Sequence, residues 1–165
     1  MAYDAFLNIK TIPGESTDDK HKDWIEVLWF DHGVAQPSTG TRSSGGAASG
    51  ERANHRDFRI KKTLDKASPK LFLACCNGEH IAEVVLELCR ATGDKQKYME
   101  YKMSDVIIAS VTPSGESKAP ENLPLEEVTF NYGKIELTYT ATDHKTGKGA
   151  GDVKAHWDAT ANKGG

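Results

Sequence analysis

No stretch of the 165-residue sequence approaches 18 uninterrupted apolar residues, so no membrane-spanning helix is expected. The amino terminus, from Met1 to Lys10, lacks both a basic n-region and an apolar h-region. Cytoplasmic synthesis without a cleaved leader is the expectation. Neither sign of charge dominates: 21 Lys and Arg stand against 24 Asp and Glu, a net charge of -3. That balance gives no electrostatic reason to expect nucleic acid or an anionic membrane surface as partner. Cysteine is scarce, and three cannot pair completely. Since Cys75 and Cys76 are neighbours, a disulfide framework is excluded and all three read as small buried hydrophobes.

Recognisable chemistry is equally sparse. No two of the six histidines stand at i, i+3 or i+4, and none is spaced from a cysteine as in a zinc finger, so no metal or other cofactor is expected. The glycine-rich run at 147–151 is followed by a β-type segment, whereas a phosphate loop opens a helix. Carboxylates such as Glu26, Asp31 and Glu127 alternate with apolar residues, as on a solvated strand face. An enzyme would need a site assembled only by the fold, with His32, His55 and Asp31 as the residues to scan.

What the sequence does contain is β-type alternation. Tyr3, Ala5, Leu7 and Ile9 share one face of a strand, while Phe6 suggests contact on the other. Pro13 and Gly14 supply turn chemistry before the run 24–34. In that run Ile25, Val27 and Trp29 share a face opposite Leu28 and Phe30. A strand apolar on both sides needs cover on both, from a second sheet or a second subunit. Strands are further expected at 58–64, 81–90, 97–112 and 128–142, with a weaker one at 153–160. The buried parity flips at Gly133 and near Ser104 and Asp105, predicting bulges or sharp bends. Such long bent strands favour a barrel or a tightly packed sandwich over an open flat sheet, within one domain over 1–165.

Two segments stand apart. A Gly/Ser-rich loop over 36–53 cannot bury enough apolar surface to order itself and reads either as a disordered surface loop or as an arm ordered only by a partner. One short flanking α-helix is predicted at about 69–77, with Ser68 as N-cap, Pro69 at the first helical position and Gly78 past its end. Leu71, Phe72, Leu73, Ala74, Cys75 and Cys76 run almost all the way round it, so it needs cover on every side.

Several of these residues carry a family pattern. Asp4-x-Phe6-Leu7-x-Ile9, Gly14-Glu15-Ser16-x-Asp18, His21, Ile25-Glu26-Val27-Leu28, Gly33-Val34-x-Gln36, Phe58-x-Ile60-x-Lys62-x-x-Asp65-Lys66-x-Ser68-Pro69-x-Leu71, Ala74-Cys75-x-x-Gly78 and Val128-x-Phe130 occur in that order. Together they closely resemble the Hcp family, the haemolysin-coregulated tube proteins of type VI secretion systems. The resemblance implies a closed or nearly closed antiparallel β-barrel of two sheets as the subunit of a hexameric ring with a wide channel. It implies rings stacked into an inner tube beneath a spike protein of the VgrG type, inside a contractile sheath, and expelled from the cell. Small effector proteins would ride in the lumen, and no catalysis or cofactor is implied.

Carried onto this chain, the resemblance makes Ser38, Thr41, Arg42 and Glu51 candidates for ring-stacking contacts and Asp31 a candidate for the channel face. Leu71, Phe72 and Cys75 become candidates for helix and subunit packing. A competing expectation is a monomeric small-ligand-binding β-barrel carrier with the 36–53 loop as its lid.

Overall fold

The computed structural model describes residues 2–37, 52–91, 93–118, 123–143, 145–146 and 148–165. Strand β1 (Tyr3–Asn8) buries Ala5 and Leu7 on one face and Phe6 on the other, where the Phe6 ring stacks on His21 at 4.2 Å. The chain then turns back on itself, with the Gly14 N–H donating to Asp23 O at 2.8 Å and the Ser16 N–H to Trp24 O at 3.0 Å. A side chain at Gly14 would run into the backbone of Trp24 and Ile25, so glycine is required for this close approach.

The run expected as one strand over 24–34 breaks into β2 (Ile25–Val27), β3 (Trp29–Asp31) and β4 (Val34–Ala35). Strand β2 pairs with β1, whereas β3 pairs with β6 (Phe58–Thr63), and neither partner spans both. The change of partner falls at Leu28, which is exposed and whose N–H donates to Lys61 O at 2.8 Å. Strand β4 forms its own two-residue ladder with β5 (Asn54–His55).

After helix α1 (Ser68–Asn77) come β7 (Ile81–Arg90), β8 (Lys97–Ser114), β9 (Leu125–Thr142), β10 (Gly149–Asp158) and β11 (Lys163–Gly164). All described pairings are antiparallel. One nine-stranded sheet follows the path β11-β10-β9-β8-β7-β1-β2, with β6 joining β9 to β3, and the β4–β5 ladder is separate. The mainly-β, antiparallel expectation is met; among the described residues no ladder joins β2 to β6, and the two ends of the sheet meet at Leu28, whose N–H bonds to Lys61 O.

Strands β8 and β9 bend together. On β9, Glu126, Val128, Phe130 and Tyr132 are buried, and the next buried residue, Ile135, has the opposite parity. On β8 the flip lies between Met103 and Val106, around Asp105, whose φ of 53° is left-handed. Both flips stand where the sequence places them. The ladder keeps its register through them, however, so Gly133 marks a bend; the register shift comes later, between Ile108 and Ser110. A side chain at Gly133 would press on Asp105. Phe58, Ile60, Leu71, Met103, Ile108 and Phe130 fill the core beneath α1 and the sheet.

Candidate functional site

Lys62 is the inward residue at the end of β6, following Phe58 and Ile60 on the same buried face, and it is 0% exposed. Its ammonium has three donors. Nζ lies 2.7 Å from Glu126 Oε2, 2.9 Å from Asp65 Oδ1 and 3.2 Å from Ser68 Oγ, so each donor meets an acceptor. Ser68 Oγ also donates to Glu126 Oε2 at 2.8 Å and accepts the Asp65 N–H at 3.1 Å. This corrects the expected cap: Ser68 is the first helical residue, Ala67 precedes it without a side-chain cap, and the hydroxyl is spent on Lys62 and Glu126. Asp65 Oδ1 accepts the Ala67 N–H at 2.9 Å, closing the turn that leads into the helix. At the far end Gly78, with φ of 64°, donates to Ala74 O as expected.

The latch sets which side of α1 faces inward. Leu71 and Ala74 are buried and the helix packs on β8, whereas Phe72 and Leu73 are 61% and 59% exposed. Cys75 is half-buried, Cys76 is exposed, and only Cys89 is buried. Thus, of the three cysteines expected inside, Cys89 is buried, Cys75 packs half-buried against the core and only Cys76 lies outside it, because α1 packs with one face only. The apolar outer face is bare.

A second uncovered region is β10. Every residue from Gly149 to His156 is exposed, on both faces of the strand, although β10 pairs with β9 along its length. Val153 stands directly opposite Tyr139 and both are exposed. A long strand with two wet faces, whose second edge is paired only near its end by β11, is a template for another chain.

Asp31, Arg59, Trp29, Lys61 and Glu127 share the face of β3, β6 and β9 opposite the buried Ile60 and Phe58. Arg59 Nη2 donates to Asp31 Oδ2 at 2.7 Å, and Arg56 Nη2 lies 3.6 Å from Oδ1. The bond from Arg59 holds the Asp31 carboxyl below the ordinary carboxylate range, and Asp31 in turn raises Arg59. Asp31, the channel-face candidate, is thus paired with Arg59 within the subunit. Lys61 Nζ sits 4.5 Å from the centre of the Trp29 ring.

Next to this face lies the root of the 36–53 segment. Val34 faces His55 and Ala35 faces Asn54 in the β4–β5 ladder, and the Arg56 N–H donates to Gly33 O at 2.9 Å. His32 Nε2 is 2.6 Å and His55 Nδ1 3.1 Å from the same atom, Tyr132 Oη of β9. The His32 ring also stacks on Phe58 at 5.3 Å. Burial first, then repulsion from His55 and Arg56, holds His32 below the ordinary imidazole range, and burial pushes Tyr132 up to about 12. The stacking candidates Ser38, Thr41, Arg42 and Glu51 lie outside the described residues.

Sequence spacing missed a third polar cluster because it joins distant segments. His21 is buried, with Nδ1 2.7 Å from Asp18 Oδ2 and Nε2 2.7 Å from Glu87 Oε2, and Cys89 Sγ lies 3.8 Å from Nε2. Trp24 meets the same ring edge-on at 4.8 Å. His21, Glu87 and Cys89 are close enough for a metal ion in principle. Both ring nitrogens, however, are already engaged by carboxylates, and burial first, then neighbouring Glu87, pushes the Cys89 thiol up to about 11. The group therefore reads as a strut tying residues 16–24 to β7. Asp18 is held below its ordinary range chiefly by the bond to His21.

Comparison with known proteins gives one answer at three levels. The protein-family profile described as "Type VI secretion system effector, Hcp" matches residues 6–139. "Protein hcp1" of Pseudomonas aeruginosa is 31% identical over 163 residues, covering 98% of each chain. The "Major exported protein" of the same organism is 31% identical over 132 residues, 76% of this chain and 74% of its own. A solved structure described as "a type six secretion system protein" superposes with a TM-score of 0.92 at 33% identity, covering 99% of this chain and 100% of the other.

Proposed function

The chain belongs to the Hcp family of type VI secretion proteins, and from this we propose that it is a structural subunit of the secreted inner tube, acting by assembly rather than by catalysis. The observation that carries this reading is the amount of apolar and strand surface a single subunit leaves open: Phe72 and Leu73 on α1, and all of β10 from Gly149 to His156. Copies of the same chain in a hexameric ring would cover both. Leu71 anchors the helix from within while Phe72 and Cys75 face the neighbouring copy. Near-closure of the sheet at Leu28 would make the whole of 1–165 one barrel-like domain.

In this reading the 36–53 segment, through Ser38, Thr41, Arg42 and Glu51, contacts the next ring of the stack. If each arm contributes about 1 kcal/mol, six contribute about 6, comparable to an association cost of roughly 4 to 15 kcal/mol. Free rings would then stack poorly without a template such as a VgrG-type spike, and the contractile sheath would form around the growing tube. Asp31 faces the channel in this arrangement, where small effector proteins ride, and the subunit waits in the cytoplasm until the tube is expelled.

Negative-stain microscopy and sedimentation of the purified protein test the ring. Closed hexamers near six times 18.0 kDa are expected, and a monomer at high concentration would refute the reading. Deleting residues 40–50 should leave rings intact while abolishing tube growth and export. Normal export by the deleted form would remove the stacking role.

A further inference from the structure

The two legs of chain on either side of the 36–53 segment are tied back to the body through a short ladder and a few polar side chains among the described residues. The β4–β5 ladder is two residues long, Val34 is exposed, and the Arg56 to Gly33 bond adds one more link within the hairpin. Among the described residues, His32 on one leg and His55 on the other both end on Tyr132 Oη, beside the Arg56–Asp31 pair at 3.6 Å and the bond that Asn131 donates to Asp57 at 2.9 Å. One hydroxyl carries one proton. It can donate to one neutral imidazole nitrogen and accept from the other, so two neutral rings satisfy it completely.

Protons spoil that arithmetic. An imidazolium is a donor at both nitrogens and accepts nothing. With both rings charged, two donors would point at one oxygen and the tyrosine proton would lose its acceptor. Charging His55 would also place a proton on Nε2, which is buried and has no hydrogen-bond partner among the described residues. The surroundings offer little relief. Asp31 of β3 favours a charged His32 but is already paired with Arg59 of β6 and Arg56. Asp57 accepts from Asn131 at 2.9 Å, and Glu127 of β9 lies 3.6 Å from Arg59. Arg56 opposes any further positive charge. The remaining neighbours, Phe58 of β6 and Tyr101 of β8, are neutral rings.

We propose that His32, Tyr132 and His55 form a proton-sensitive clasp that holds the root of the 36–53 segment closed at neutral pH and releases it in mild acid.

The lowered His32 agrees in sign. A histidine held below its free value of 6.5 binds fewer protons when the clasp is closed than when it is open. The closed form is therefore fully favoured above that value and loses ground as pH falls through it. The clasp itself is independent of how rings stack. Its consequence for tubes rests on the role of the segment proposed above: acid would free the arms and weaken ring-to-ring contact while leaving the ring closed.

Hydrogen exchange of the full chain, read by mass spectrometry at pH 7.5 and 5.0 and corrected for intrinsic rates, is the test. Peptides covering 30–37 and 52–58 should lose protection at the lower pH by several-fold, while β7 and β8 stay protected. Tyr132→Phe keeps the ring and removes the oxygen; it should exchange fast at both pH values. His32→Gln combined with His55→Gln should abolish the pH dependence. Equal protection of the wild type at both pH values would overturn the clasp, and so would a Tyr132→Phe variant as pH-dependent as the wild type. If the legs open in acid yet rings still stack, the clasp stands and the stacking role of the segment falls.

Discussion

Strand β9 carries two polar anchors on one buried face, Glu126 and Tyr132, and they behave as opposites. At Glu126, three ammonium donors of Lys62 meet three acceptors, and the site is sealed at 0% and 2% exposure. At Tyr132, two imidazoles compete for one hydroxyl and one ring nitrogen is left without a partner among the described residues. The first cluster is complete as drawn and holds α1 permanently. The second is complete only while both rings stay neutral, so it holds the segment root conditionally. Whether a buried polar group acts as a fixture or a switch depends on whether donors and acceptors balance in every accessible protonation state.

The hardest blow to this contrast falls on the fixture. Lys62→Met leaves the Glu126 carboxylate buried without its cation and should cost about 3 to 5 kcal/mol by denaturant unfolding, while Lys62→Met with Glu126→Leu should recover most of the loss. Additive effects in that cycle would show that the pair is not coupled. The two faces of α1, which the latch orients, come next. Leu71→Ala should lower subunit stability by about 2 to 5 kcal/mol. Phe72→Ala should change it by no more than about 0.5 kcal/mol, yet shift the oligomer towards smaller species on gel filtration.

On the switch side, Tyr132→Phe removes one hydroxyl shared by two weak bonds. It should cost about 1 kcal/mol at pH 7.5, and the difference from wild type should shrink at pH 5, where the wild-type clasp is already open. Gly78→Ala, a backbone control far from both clusters, should cost about 1 kcal/mol at any pH because φ is 64° there. The smallest effect is expected at Asp31→Asn. Its partner Arg59 is on a wetted face, so the unfolding midpoint should stay where it is above pH 5, and any effect should show in cargo capture instead.

Much of the fold was legible beforehand because strands declare themselves locally. Alternation located β1, β7, β8 and β9, and the parity reversals at Gly133 and Asp105 located the shared bend. Apolar residues all round the short helix predicted cover on every side, and the subunit supplies it on one face only. Local pattern said nothing of the break at Leu28, since both halves of that run are equally β-forming and only their partners differ. The Lys62 latch was hidden for a similar reason. Alternation puts Lys62 on the same face as Phe58 and Ile60, but nothing local says that Glu126 is brought opposite it. Likewise the His21 strut joins residues 66 positions apart, and no spacing rule spans that distance.

The order of side chains along the chain was enough to determine the long strands β7, β8 and β9, their buried parity, the helix and the family, because each follows from periodicity or from motifs a few residues long. Which polar groups end up sealed and which stay poised was decided by the tertiary structure alone. Hydrogen-bond balance is a property of atoms within about 3 Å, and the chain places those atoms 64 residues apart at Lys62 and Glu126 and 77 apart at His55 and Tyr132.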